Sequence, residues 1–317
     1  MTKVLFVNHS VSNVCGVFSL GQRIARILLN FKDHTFYYIE CNDLETFGQA
    51  VKSCDPSIVI YNYMPPTMPW ASHAKDKYPN LTHIALAHDA TQEIIDSNTL
   101  LWGFDYRIAL DPTFKENGNW FKLTRPLFNY TGKNTVPVSD IPKIGSYGLF
   151  FPHKNFDFVV NLVKHQLEQA EVNLHIVNAH FSPYTDDNLK TYCNYLHSIV
   201  RGTKIKLNIT NNNIDDHRQI DFLAGNDLNI FAYDNNNGMG PASVIDYSVA
   251  AGKPILINNS YQFRHVKRRL PTIMDYTIKQ ALQLGNAEVL KLRDEWSEYN
   301  FYHNYRRIIN EVQNRQQ

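Results

Sequence analysis

An excess of either charge is missing from this chain: 31 lysines and arginines stand against 30 aspartates and glutamates in 317 residues. Without a basic surplus there is no global footprint for tight nonspecific nucleic-acid binding, so a nucleic-acid partner is not favoured by charge and would need a local basic patch. Cysteine is scarce. Cys15, Cys41, Cys54 and Cys193 make no CxxC spacing, and no apolar signal-peptide core follows Met1, so the expected compartment is the cytoplasm. The 13 histidines fall into no HExxH or Cys/His pattern, and no metal site is expected. No apolar run approaches the ~20 residues that cross a bilayer, which leaves peripheral association as the membrane role open to the chain. Nothing repeats at a solenoid period, and the asparagine clusters at 211–213 and 235–237 are too short for low-complexity tracts.

What is present is 44% hydrophobic and 13% aromatic content, enough for one or two cores, with two α/β domains as the better expectation. Lys3–Asn8 alternates into a first strand. A polar loop closes on Gly16, and Val17, Leu20, Ile24, Ile27, Leu28 and Phe31 recur at helical spacing. Such a helix packs on a sheet with its amino terminus at the strand's carboxyl end, where open α/β sheets bind ligands. Further strands are expected at Thr35–Cys41, Ser57–Asn62, His83–Ala87 and Tyr106–Leu110. Between Leu127 and Pro142 the chain turns polar and turn-rich, as linkers do. Alternation then restarts at Lys143–Tyr147 and continues to Ile257. The expected organisation is a Rossmann-like domain over 1–135, a second over 136–290, and a helix over 291–317 that crosses back to the first.

The stretch Asn226–Ile257 carries the most functional information. Leu228–Tyr233 reads as a buried strand emptying into a polar loop; Gly238, Met239, Gly240 and Pro241 follow, and Ala242–Ala251 is apolar enough for a buried helix. Glycines before a helix either merely turn the chain or let an anion reach the free N–H groups of the first turn, worth ~0.3–1 kcal/mol per charge at exposed sites. Asp246 sits inside that apolar helix, where a carboxylate is costly unless it is paired or faces a polar ligand such as a sugar hydroxyl. Earlier, IGSYGLFFPHKNFD (Ile144–Asp157) places Lys154 just before a helix. The helix dipole opposes a cation there, so the charge is better explained if an anion shares the place.

These blocks resemble the retaining nucleotide-sugar glycosyltransferases of the GT-B architecture known as glycosyltransferase group 1. IGSYGLFFPHKNFD is similar to the block that opens the family's second domain. NDLNIFAY is similar to the strand before its donor loop, and ASVIDYSVAAGKPILI to its donor-site helix and next strand. The likeness covers most of Ile144–Val266 and is thinner in the first half, where Asn13–Ala25 and ALAHDA carry it. The resemblance implies an α/β fold of two Rossmann-like domains facing a cleft. It also implies transfer of a sugar from a UDP- or GDP-linked donor to the hydroxyl of a glycan or other acceptor, with retention and with no cofactor or essential metal. It places Lys154 on the donor diphosphate, with Gly238, Met239, Gly240, Ala242 and Ser243 cradling the same phosphates and Gly16 giving the diphosphate or acceptor access to the first domain. His88 falls over the donor sugar as a catalytic-region residue beside Lys154, and Asp246 takes the place of the acid that holds the ribose.

The chain departs from the family's Glu-x7-Glu pattern. Asn236, Asn237, Gly238 and Met239 stand about where the first glutamate belongs, and Asp246 or Tyr247 about where the second does. The arginine of the first block is also absent, with Lys253 and Arg264 as replacements. Readings that remain beside transfer to a glycan are a DNA-base glycosyltransferase, a nucleotide-sugar epimerase and a degenerate nucleotide-sugar binding protein. The tail from Ala287 reads as one helix with Trp296, Tyr299, Tyr302, Tyr305, Ile308 and Ile309 on its apolar side, acting as a tie that closes the two halves.

Overall fold

The computed structural model describes residues 1–10, 15–97, 103–130, 132, 140–179, 182–235 and 240–315. The chain divides into two compact units: unit 1 is Met1–Pro126, Gly238–Pro241 and Trp296–Gln317, and unit 2 is Leu127–Asn237 and Ala242–Glu295. The leading segment of unit 1 thus ends at Pro126, short of residue 135.

Unit 1 is built on a six-stranded sheet of β1 (Lys3–Asn8), β2 (Thr35–Glu40), β3 (Ile58–Tyr63), β4 (Thr82–Ala87), β5 (Tyr106–Ala109) and β6 (Trp120–Lys122) in the order β2-β1-β3-β4-β5-β6. Every pairing is parallel. All residues of β3 and β4 are buried, which is why both read as mostly apolar runs rather than alternating ones, with Asn62, Thr82 and His83 as buried polar exceptions. Helix α1 (Gly16–Leu29) buries Phe18, Leu20, Ile24, Ile27 and Leu28 against the sheet. Helices α2 (Leu44–Cys54), α3 (Ala74–Lys77) and α4 (Gln92–Asp96) complete the layers. Asp43 caps α2 by accepting from the Thr46 amide.

Unit 2 has a five-stranded sheet of β7 (Lys143–Leu149), β8 (Gln169–Val177), β9 (Lys204–Thr210), β10 (Leu228–Phe231) and β11 (Ile255–Ile257) in the order β11-β10-β7-β8-β9, again all parallel. Its helices are α5 (Phe156–Gln166), α6 (Asp186–Ile199), α7 (Asp216–Ala224), α8 (Val244–Ala251), α9 (Ile278–Leu284) and α10 (Ala287–Glu295). Each residue of α8 is buried. Both units are therefore doubly wound α/β sheets, as the alternation predicts. In each, the strand order reverses at one point, between β1 and β3 and between β7 and β10, and ligands of such sheets bind at the carboxyl ends beside that reversal.

Two expectations need correcting. Leu127 and Phe128, expected in a linker, are buried in unit 2, where Phe128 packs on Tyr247 with ring centroids 4.5 Å apart. The tail is not one helix: it breaks after Glu295, and Ser297 caps a new helix, α11 (Glu298–Asn314). Helix α11 belongs to unit 1. Phe301, Tyr302, Tyr305, Ile308, Ile309 and Val312 lie in the same hydrophobic core as Val4, Phe6, Leu20 and Ile24, and Phe31 stacks on Tyr302 at 3.7 Å. Tyr299, expected on the apolar side, is 62% exposed instead.

The cores also hold histidines that stay neutral. Burial pushes His34, His83 and His175 below the ordinary imidazole range. A lowered folded pKa means that stability is whole above the unfolded value of about 6.5 and is lost as pH falls toward the folded value. The melting temperature is accordingly expected to drop between about pH 7 and about pH 5. A flat profile by circular dichroism over that window would show these side chains to be accessible in the folded state.

Candidate functional site

In unit 1 the strand ends at the reversal point carry a polar cluster. Asn8 ends β1, Asn62 lies one residue before the end of β3, and His88 follows β4 directly. Both asparagines are fully buried. The His88 Nε2 lies 2.8 Å from Asn62 Oδ1, and Asn62 Nδ2 donates to Asn8 Oδ1 and to the Val17 carbonyl, each at 2.8 Å. Gly21 makes room for this pair: a Cβ there would fall 2.4 Å from Asn62 Nδ2 and 2.6 Å from Asn8 Oδ1. Burial, with Arg125 and His9 adding like charge, drives the His88 pKa down to about 3, so the ring is neutral at physiological pH. Gly16 opens α1 after Cys15, and a Cβ on it would meet nothing within 4 Å. Its glycine is thus not demanded by packing within the described residues, which leaves space beside the first turn.

Gly240 belongs to the same unit. Its N–H donates to the Asp89 carboxylate at 3.2 Å, and a Cβ would sit 2.2 Å from the His88 carbonyl oxygen. No side chain fits without moving backbone. Gly240→Ala is therefore expected to lower the melting temperature by several degrees, about 1–3 kcal/mol of overpacking, and an unchanged value would mean that the segment is not seated on His88. Gly238 and Met239 lie outside the described residues.

Unit 2 gathers donors at its own reversal point. Lys154 closes a short 3-10 turn, Pro152–Lys154, immediately before α5, and Asn155 makes the corner in the left-handed region at φ 48°. The Lys154 ammonium rests 3.6 Å from the centroid of the Tyr233 ring, two residues beyond β10. Among the described residues no carboxylate pairs with it, and burial pushes its pKa down to about 7. The Tyr233 hydroxyl is buried with no hydrogen-bond partner among the described residues. Its neighbours are Phe263, at 4.8 Å between centroids, and Gly148, whose absent Cβ would lie 3.5 Å from that hydroxyl.

Next to Phe263, the Gln262 carbonyl accepts from the Ala242 amide at 3.0 Å, and the buried Gln262 side-chain nitrogen has no acceptor among the described residues. Ser243 takes the N-cap position of α8 without using its side chain as a cap, and the N–H groups of Ser243 and Val244 have no acceptor among the described residues. Among the described residues of one unit, an ammonium without a counter-ion, two helix-terminal amides, a phenol and a carboxamide all lack acceptors. That is the inventory of an anion site.

The structure thus brings Lys154, Ala242 and Ser243 to one end of unit 2, and Gly16, His88 and Gly240 into unit 1. Asp246 is completely buried in α8, and its neighbour Tyr247 donates to Asp216 at 2.7 Å. Asp234 is occupied, its amide on the His153 carbonyl and its carboxylate accepting from Asn155 at 2.6 Å. The Arg264 guanidinium lies over the Tyr261 ring at 4.0 Å. Sequence reasoning missed Asn8, Asn62, Gly21, Tyr233 and Gln262. The one signal available was a polar residue closing an otherwise apolar strand, as in VLFVN and IVIYNY.

No protein-family profile and no curated protein sequence matches this chain. Solved structures do. AviGT4, a glycosyltransferase involved in avilamycin A biosynthesis, matches with a TM-score of 0.66 at 12% identity over 98% of both chains. The lipopolysaccharide outer core galactosyltransferase WaaB in its apo form gives 0.62 at 13% identity, over 98% of this chain and all of the other. HepE from Anabaena in complex with UDP-glucose gives 0.60 at 12% identity, over 99% of this chain and 100% of that one. At such identities the likeness establishes the fold, that of the GT-B glycosyltransferases, across essentially the whole length.

Proposed function

We propose that this protein is a glycosyltransferase that takes a sugar from a UDP- or GDP-linked donor and transfers it to an acceptor hydroxyl with retention and without an essential metal. The observation that carries the reading is the set of unmatched donors at the carboxyl edge of unit 2, centred on Lys154 and the first turn of α8. It occurs in a fold shared from end to end with proteins named as a galactosyltransferase and a glycosyltransferase, and with HepE, which was solved with UDP-glucose.

In that reaction the bond between the anomeric carbon and the diphosphate oxygen breaks as the acceptor oxygen bonds to the same carbon, and the acceptor proton leaves with the diphosphate. Negative charge grows on the diphosphate. Lys154 and the Ser243 and Val244 amides meet it as donors fixed before the reaction, each worth about 3 kcal/mol when well placed. His88 serves the donor sugar, Gly16, Gly238, Met239, Gly240 and Ala242 allow the backbone to approach the phosphates, and Asp246 stands in for the ribose acid. The acceptor is a glycan or another hydroxyl-bearing molecule, and the protein works in the cytoplasm or at a membrane surface.

Incubation with a panel of UDP- and GDP-sugars lacking acceptor, read by mass spectrometry, tests this. Slow release of nucleoside diphosphate from one donor, undiminished by a chelator, is expected. A new sugar nucleotide would make the protein an epimerase, tight binding with no release would make it a degenerate binding protein, and loss of release on chelation would overturn metal independence.

A further inference from the structure

Five side chains at the carboxyl edge of the unit 1 sheet form one hydrogen-bonded chain with a single direction. Its direction is fixed at two backbone carbonyls. Asn62 faces the Val17 carbonyl at 2.8 Å, and Asn8 faces the Phe18 carbonyl at 3.1 Å. Carbonyls only accept, so each amide must present its NH2 group there, and neither asparagine can be turned over. From this the rest follows. Asn8 Nδ2 points to the Tyr38 hydroxyl at 3.2 Å, which donates to the Glu40 carboxylate at 2.6 Å; Asn62 Nδ2 points to Asn8 Oδ1; and Asn62 is left with its oxygen toward His88. Every bond runs toward Glu40, an arrangement in which successive bonds strengthen one another.

We infer that Asn62 is a positioning residue that fixes His88 as the Nε2–H tautomer, so that the free Nδ1 accepts a hydrogen bond from a ligand hydroxyl. An oxygen of Asn62 offers only lone pairs, so the Nε2 opposite must carry the hydrogen. Nδ1 has no partner among the described residues. The surroundings oppose a second proton on the ring: Arg125 and His9 are the charged groups that act on it, and burial outweighs both, with the pKa at about 3. A neutral ring with an open acceptor nitrogen suits an alcohol and repels a phosphate or carboxylate. His88 is thereby a hydroxyl reader rather than a general acid. The hydroxyl assignment rests on the nucleotide-sugar reading above, whereas the tautomer does not.

The test is nitrogen NMR on protein labelled at histidine, with UDP-glucose and UDP as the probes. The expected free-protein spectrum has a protonated Nε2 and an unprotonated Nδ1 for His88, unchanged from about pH 5 to about pH 9. Addition of UDP-glucose should move the Nδ1 resonance in the direction of hydrogen bonding, and UDP alone should not. Asn62→Asp places a carboxylate against Nε2, and Asn8 can no longer receive its amide, so the fold is checked by circular dichroism. In the folded variant His88 is expected to become doubly protonated near neutral pH. An Nδ1–H tautomer, or a His88 titrating near 6.5 in the wild type, overturns the inference whatever the variant does. An equal Nδ1 response to both probes overturns the hydroxyl assignment. If neither nucleotide binds, the nucleotide-sugar reading fails and the free-protein spectrum alone decides the tautomer.

Discussion

A Lys154→Met protein is expected to bind its nucleotide sugar about 10- to 150-fold more weakly than the wild type, the range that ~1.5–3 kcal/mol for a charge-assisted contact gives. The same variant should melt about 2–4 °C higher, the shift that ~1 kcal/mol produces in a domain of 150–250 residues. Opposite movement of affinity and stability is the signature of a binding cation. The Lys154 ammonium has no carboxylate among the described residues and rests on the Tyr233 ring, so the folded protein without ligand carries a desolvated charge that only an anion offsets. A structural lysine would lose stability on substitution and leave affinity alone.

The pH dependence has a definite sign. The folded pKa of about 7 lies below the unfolded value of about 10.4, so the lysine's cost to stability is absent above the unfolded value and full below about 7. The thermal gain of the Met variant should therefore be largest below about pH 7 and shrink as pH rises. Wild-type affinity for a nucleotide sugar should fall above about pH 7 by up to about tenfold per unit, because each binding event must then take up a proton. Calorimetry across that range checks both, and an affinity independent of pH would place the diphosphate away from Lys154.

Removal of α11 is expected to unfold unit 1. Phe301, Tyr302, Tyr305, Ile308, Ile309 and Val312 are at most 1% exposed. Large buried side chains cost ~2–5 kcal/mol each when cut back, so their joint loss exceeds the ~5–15 kcal/mol that holds a domain together. The tail read from the sequence as a tie is thus also part of the unit 1 core. Limited proteolysis decides the matter: rapid cleavage within residues 1–126 of the truncated chain is predicted, and a protected unit 1 would show that the helix is dispensable. Tyr305→Ala alone should cost ~3–5 kcal/mol.

What was legible in the sequence was local. Buried parallel strands announce themselves as apolar runs, and glycine and proline punctuate them, so Leu228–Tyr233 and the α8 segment could be read directly. Lys154 could be placed because its block combines a strand end, a turn and a helix start within a few residues. The partners of those residues were not legible, since they meet through the sheet rather than along the chain. Tyr233 lies beside Lys154 because β10 pairs with β7, and Asn62 lies beside Asn8 because β3 pairs with β1. Gly21 carries no visible purpose until the two amides it clears are known. The tail was legible in part. Tyr302, Tyr305, Ile308 and Ile309 recur at helical spacing and do face the core, whereas the break before Ser297 and the outward turn of Tyr299 leave no mark in that spacing.

The measurement that bears most directly on the whole account is a crystal structure of the protein with a UDP- or GDP-sugar. The diphosphate is predicted within about 2.7–3.2 Å of the Lys154 Nζ and of the Ser243 and Val244 amide nitrogens. A diphosphate bound elsewhere on the molecule, with Lys154 still lying bare on the Tyr233 ring, would contradict it.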